Sequence, residues 1–116
     1  MKYFKDKEDF KGNMDKMDPK LLTMLDELRE GYGQPIILNS SYRSASHPVE
    51  VVKSKPGEHT YGAAVDIKCA GGENTFNLVS AAIKVGFRRI GISRKSNFVH
   101  VGIGYPNAPE TTIWTY

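Results

Sequence analysis

Cysteine is almost absent from this 116-residue sequence, and the single thiol at Cys69 excludes both an internal disulfide and a zinc site built on several cysteines. We interpret Cys69 as a buried, unreactive thiol, because it has no clear base partner in the sequence. No apolar run approaches the ~18 residues that span a bilayer, so we expect no contact with a membrane. The N-terminal stretch MKYFKDKEDF is charged throughout, and it therefore predicts no signal peptide.

A strong excess of one charge is also lacking. Lysine and arginine total 16 against 13 acidic residues, which gives a net charge of +3, and acids are interleaved with the bases over the first 30 residues. One dense basic cluster, which we interpret as a solvated face, consists of Arg88, Arg89, Arg94 and Lys95. Attraction of this cluster to an anionic polymer such as a bacterial wall is the alternative. Because a nucleic-acid binder usually concentrates its basic charge in one patch, we expect no nucleic-acid partner.

The periodicity of the apolar residues predicts a single α+β domain over residues 1–116. A small antiparallel sheet with helices packed on one face is the expected architecture. The first helix should begin after the N-cap Asp18, with Pro19 at its first position, and end at Gly31 or Gly33.

Four strands are predicted by short apolar or alternating stretches, over residues 36–38, 62–69, 87–93 and 97–104. The polar segment 40–60 is expected to be a long loop, and loops of this length are often functional. The last two strands should be joined by a short turn near residues 94–96.

The second predicted helix follows GGENTFNLVSAAIKVG and should be capped by Asn74 or Thr75. Its expected core face consists of Phe76, Val79 and Ile83. The tail over residues 105–116 is expected to be turn-rich.

Two of the predicted strands each carry one metal-ligand type of residue opposite a β-branched face, at Asp66 and at His100. If these strands pair, the two side chains lie side by side, and His59 arrives from the loop just before. Two imidazoles and a carboxylate suit Zn²⁺ with one open coordination position, which is typical of catalytic zinc. Each residue taken alone also fits an ordinary role in a core, a turn or a surface.

Three motifs resemble those of the M15 peptidases, which have the D-alanyl-D-alanine peptidase/Hedgehog fold. They are SSYRS at 40–44, HTYGAAVD at 59–66 and FVHVG at 98–102. The similarity runs from about Leu21 to Val101. Members of this family are zinc enzymes that cut bacterial peptidoglycan stem peptides, and many are phage lysins.

The resemblance implies that Zn²⁺ is the cofactor, held by His59, Asp66 and His100. It also implies that Arg43, from the YRS motif, lies near the scissile carbonyl and stabilises the charge that develops there. A loop salt bridge is the alternative role for this arginine. Ser41 and Tyr42 are expected to shape the same substrate-binding wall.

The general base of the family has no direct counterpart in this sequence. Many members carry an acid three residues before the last histidine, where this chain has Asn97. Asparagine orients a water or a substrate group but takes no proton, so we place Asn97 among the substrate-binding residues. Other members have an acid two residues after that histidine, where this chain has Gly102. Glu58 is the nearest carboxylate in sequence and the candidate base; His47 is a second candidate, and a plain loop residue is the alternative for both.

The function expected from the resemblance is hydrolysis of peptide bonds in peptidoglycan by a monomeric zinc peptidase. Such an enzyme would remain in the producing cell or on a virion and act on the cell wall after release. The bond that is cut stays open among L-alanyl-D-glutamate, D-Ala-D-Ala and cross-bridge linkages. A non-catalytic module of the same fold that binds wall peptide or a protein partner is the alternative, supported by the missing acid.

Overall fold

The computed structural model describes residues 1–53 and 57–116 and has the expected α+β architecture. The helices are α1 (Asp6–Phe10), α2 (Pro19–Tyr32), α3 (Pro48–Val51) and α4 (Gly72–Val85). The strands are β1 (Leu38–Ser40), β2 (Ala64–Lys68), β3 (Arg89–Ser93), β4 (Phe98–Gly102) and β5 (Thr112–Thr115). Two short 3₁₀ turns cover Met14–Lys16 and Glu58–Tyr61. Within the described residues, no helix has both the length and the apolar character that crossing a membrane requires.

Helix α2 begins and ends at residues that the sequence predicts. The Asp18 carboxylate accepts a hydrogen bond from the backbone N–H of Lys20 at 2.8 Å, and Pro19 occupies the first helical position. Gly33 ends the helix with a left-handed backbone (φ 75°), a conformation that glycine adopts without steric cost.

The five strands form one sheet in the order β1-β2-β4-β3-β5. Neighbouring strands run antiparallel except β3 and β5, which are parallel. Apolar side chains of the three central strands form a core with helices α2 and α4; this core includes Val65, Ile67, Ile90, Val99, Val101, Leu21, Leu25, Leu28 and Leu78. The strand residues between these core-facing positions point to the opposite face of the sheet, where a functional site can form.

The predicted core face of helix α4 is wrong at Phe76 and Ile83 and confirmed at Val79, which is partly buried and packs against the core. Phe76 and Ile83 are 72% and 59% exposed, whereas the buried residues of this helix are Thr75, Leu78, Ala81 and Ala82. Small alanines let α4 approach its neighbours closely, so the helix turns them, and not its largest side chains, toward the core. The helix also starts earlier than predicted, at Gly72.

Three other expectations need correction. The first strand covers Leu38–Ser40, two residues later than predicted. The predicted loop 40–60 contains helix α3 and a 3₁₀ turn, while its residues 54–56 lie outside the described part of the chain. The tail carries strand β5, whose parallel partner β3 lies about 20 residues earlier and gives no local pattern to detect.

Candidate metal centre

One row of residues crosses the open face of the sheet and carries the centre of the site. The register pairs Ser40 with Asp66, Asp66 with His100, His100 with Gly91 and Gly91 with Trp114. Asp66 and His100 are therefore direct neighbours on β2 and β4, as the alternation of the two strands predicts. Both are buried, at 7% and 5% exposure.

The third residue of the cluster, His59, comes from the 3₁₀ turn Glu58–Tyr61 that leads into β2. Gly62 ends this turn with φ 63°, and a side chain there would collide with the backbone of Lys16. The tight turn brings His59 Nε2 to 3.3 Å from Asp66 Oδ1, and His100 Nδ1 lies 3.0 Å from the same oxygen. One ligand atom from each of the three residues lies within 4.8 Å of the other two.

The hydrogen bonds of the two imidazoles leave one nitrogen of each ring for a metal ion. His59 Nδ1 lies 2.7 Å from the backbone carbonyl of Ser41, which only accepts, so Nδ1 carries the proton and Nε2 faces Asp66. His100 Nε2 lies 2.7 Å from Glu58 Oε1 and donates to it, so Nδ1 faces Asp66. This set of two imidazole nitrogens and a carboxylate fits a divalent transition metal, and each ring has the outer partner that metal-bound histidines usually have.

Burial and hydrogen bonding act in opposite directions on the pKa values of the two ligands Asp66 and His100. Burial raises the pKa of Asp66, but the neighbouring imidazoles of His100 and His59 outweigh burial and hold that pKa well below its usual range. For His100 burial also opposes the charge, while hydrogen bonds to Asp66 and Glu58 raise the pKa of the ring. A metal cation bound between His100 Nδ1 and Asp66 would occupy the place of a proton there, so protonation and metal binding compete at these ligands.

Arg43 lies beside this cluster and lines the same cleft. Its Nη2 is 3.3 Å from Asp66 Oδ2 and its Nη1 is 3.2 Å from Glu50 Oε2. The side chain is 16% exposed, so the guanidinium is held by two carboxylates while part of it still faces the cleft. These contacts are those of the salt-bridge alternative, and the transition-state role predicted for Arg43 stays a prediction.

The family model described as Peptidase M15 matches residues 3–102, which is most of the chain. The chain belongs to the peptidase M15 family. No curated protein sequence matches the chain significantly. Because M15 peptidases are typically metal-dependent, the cluster of His59, Asp66 and His100 is the metal site that this membership leads one to expect.

Glu58 lies buried against the metal site, a position that the sequence does not predict. It is 5% exposed, which excludes the solvent-facing loop position considered as its alternative. Arg89, expected on a solvated face, is also buried at 7% and donates from Nε to Glu58 Oε2 at 3.0 Å. The alternation of β3 offers a signal for this contact, since Ile90 points to the core and Arg89 therefore faces the site.

Of the remaining predicted residues, all within the described part of the chain, only Ser41 contacts a member of the metal cluster. Ser41 is buried and meets His59 through its carbonyl, while Tyr42 packs against the core beneath the Lys16 ammonium. Asn97 is exposed in the turn before β4, with a left-handed backbone (φ 55°), and does not line the cleft. His47 is exposed and caps α3 by accepting from the N–H of Val49. The roles predicted for Ser41, Tyr42 and Asn97 stay predictions.

Aromatic residues from the tail, beyond the range matched by the family model, close one side of the cleft. Trp114 on β5 lies with its ring centre 5.0 Å from that of His100. A Cβ at Gly91 would lie 2.6 Å from the indole nitrogen, so the glycine makes the space in which the indole rests. Tyr105 and Tyr116 line the same cleft, whose volume is about 570 Å³.

Proposed function

We propose that the protein is a zinc metallopeptidase that hydrolyses peptide bonds in bacterial peptidoglycan. The observation that carries the proposal is the convergence of His59, Asp66 and His100 beside Arg43 in one open cleft. Membership of the peptidase M15 family supports the class of reaction.

Zinc is the metal that this donor set favours. Zn²⁺ binds imidazole nitrogen and carboxylate oxygen, and three protein ligands leave a fourth position open, as in catalytic sites. When bound, it would polarise a peptide carbonyl and activate water. The chain's own contribution is to fix the ligands: the Ser41 carbonyl orients His59, and the Arg43 guanidinium holds Asp66 Oδ2 so that Oδ1 faces the imidazoles.

Arg43 is proposed to stabilise the negative charge that develops on the scissile carbonyl oxygen. A guanidinium fixed by two carboxylates needs no reorganisation during the reaction, which is the condition for strong electrostatic stabilisation. Arg43→Ala should lower the rate by about 10²–10³-fold, the range seen when one oxyanion donor is removed. The control is Lys20→Ala, which removes an exposed cation on α2 that lies outside the cleft and the basic cluster and should leave the rate unchanged.

The peptidoglycan substrate is supported by the resemblance of the three motifs and by the cationic and aromatic lining of the cleft. Stem peptides carry carboxylates, which suit Arg43, and Lys53 lies on the same wall. The experiment is digestion of purified sacculi by the zinc-loaded protein, with new termini identified by mass spectrometry. The masses of the products decide which bond is cut.

The experiment also addresses the alternative function. Full zinc occupancy without new termini from sacculi of several peptidoglycan types would contradict the peptidase proposal. It would favour a non-catalytic module that binds wall peptide or a protein partner, and sedimentation of the protein with sacculi would then test that binding.

A further inference from the structure

Gly102 leaves a space on the site face of β4, and Glu58 fills it. Gly102 follows His100 by two residues, so both positions project to the same side of the sheet. A Cβ at Gly102 would overlap the carboxylate group of Glu58. Gly102 is not among the positive-φ residues, so its backbone would accept a side chain, and the overlap with Glu58 is what the glycine avoids.

The carboxylate in this space is fixed by three donors. Oε1 accepts from His100 Nε2 at 2.7 Å, while Oε2 accepts from Arg89 Nε at 3.0 Å and from the backbone N–H of Gly104 at 2.7 Å. Both oxygens are therefore occupied by partners within the protein. The imidazole of His100 lies between two carboxylates, with Asp66 at Nδ1 and Glu58 at Nε2.

We propose that Glu58 is a positioning residue for His100, and that the absence of a side chain at Gly102 makes room for it. By accepting the Nε2 proton, Glu58 selects the tautomer in which Nδ1 is the ligand atom, and it holds the plane of the ring. Outer-shell carboxylates act on metal-bound histidines in this way and strengthen them as ligands. The inference rests on the proposed metal site and gives one of its ligands a fixed orientation.

This role differs from the general-base role predicted for Glu58. A general base must reach the proton of the attacking water, directly or through one water. Glu58 instead binds the ring edge of His100 that faces away from Asp66, and both of its oxygens already accept hydrogen bonds. The two roles predict different effects on metal binding, which makes them separable.

A double-mutant cycle on zinc affinity tests the positioning role. Glu58→Ala should weaken zinc binding by about 10–100-fold, the range for losing an outer-shell partner. Gly102→Ala should also weaken it, because its methyl group displaces the Glu58 carboxylate. The double variant Glu58→Ala, Gly102→Ala should bind zinc no more weakly than Glu58→Ala alone, since the added methyl then meets no carboxylate. Affinities are measured by competition with a chromophoric chelator.

Two further measurements distinguish the loss of His100 positioning from a general loss of the fold. Glu58→Ala with Gly102→Asp should recover part of the zinc affinity, because a carboxylate again stands near Nε2. In the zinc-loaded wild type, the ¹⁵N shifts of His100 should show a protonated Nε2 and a metal-bound Nδ1. Zinc bound at Nε2 would overturn the inference without the use of any variant.

Different results would contradict the positioning role of Glu58 and the proposed metallopeptidase function. If wild type and Glu58→Ala bind zinc equally well while peptide cleavage falls by about 10²–10⁴-fold, Glu58 is the base and the positioning role is wrong. If the wild type binds no zinc, the metal site itself is wrong, and the inference falls with it.

Discussion

Glu50 is a buried carboxylate that neither the motifs nor the periodicity of the sequence point to, and its removal should destabilise the fold. Its side chain is fully buried in helix α3 and accepts from Arg43 Nη1 at 3.2 Å, Lys53 Nζ at 3.0 Å and the Gly57 N–H at 2.9 Å. Glu50 thus joins the arginine of the cleft to the segment that follows α3. Glu50→Gln removes the charge and keeps the shape.

The size of the effect follows from the pKa of Glu50. Burial opposes its ionisation, but the N–H of Gly57 and the cations of Lys53 and Arg43 outweigh burial and lower the pKa from 4.5 to about 2. Because one pKa unit corresponds to about 1.4 kcal/mol, ionised Glu50 stabilises the fold by about 3 kcal/mol at neutral pH. The pKa is lower in the folded state, so this stabilisation is complete above pH 4.5 and is lost as the pH falls through 2. At pH 3 about 1.5 kcal/mol remains.

Urea unfolding of metal-free wild type and Glu50→Gln measures this contribution. The two should differ by about 3 kcal/mol at pH 7 and by about half of that at pH 3. Glu110→Gln is the matched control, because Glu110 is exposed and its neutralisation should change stability by less than about 0.5 kcal/mol. A difference for Glu50→Gln that is as small as the control's, or that is the same at both pH values, would refute the reasoning.

Three further predictions concern the metal site and its aromatic wall. The purified protein should hold about one zinc per chain by elemental analysis, and His59→Ala or His100→Ala should remove most of it; unchanged content in both would contradict the site. Chelation of the zinc-loaded protein should lower its melting temperature, because zinc at 100 times its Kd stabilises by about 2.7 kcal/mol. Trp114 is the sole tryptophan and lies beside His100, so Cu²⁺ bound at the site should quench its fluorescence in wild type but not in His100→Ala.

The centre of the site was predictable because it depends on local alternation. β-branched residues flank both Asp66 and His100, so each strand has one face for the core and one for the ligand. Once β2 and β4 pair, the register that buries both β-branched faces places the two ligands together. The motifs then add His59 and Arg43 through the family resemblance.

The partners of these residues were not predictable, because they depend on contacts between distant parts of the chain. Glu58 and Arg89 are 31 residues apart, so the alternation of β3 places Arg89 on the site face but does not identify Glu58 as its partner. Trp114 reaches the site only because β5 joins the sheet in parallel to β3. The core face of α4 was predicted incorrectly for a related reason. The large apolar residues Phe76 and Ile83 favour one face, whereas close packing against the rest of the fold buries the face that carries the alanines.

Two glycines on the face of the sheet that carries Asp66 and His100 show that segments outside β2 and β4 complete the site. Gly91 lies beside His100 on the neighbouring strand β3, under the side chain of Trp114. Gly102 follows His100 by two residues on β4 and lies under the side chain of Glu58. The sequence of β4 contains no acid near His100 and on its own suggests a site without a catalytic carboxylate. The structure instead keeps a carboxylate against that histidine and supplies it from the turn before β2. Because the proposed role of Glu58 is to orient His100 and not to act as a base, this carboxylate replaces the missing acid in position but not in proton transfer. Peptide cleavage must therefore decide between an enzyme and a non-catalytic module.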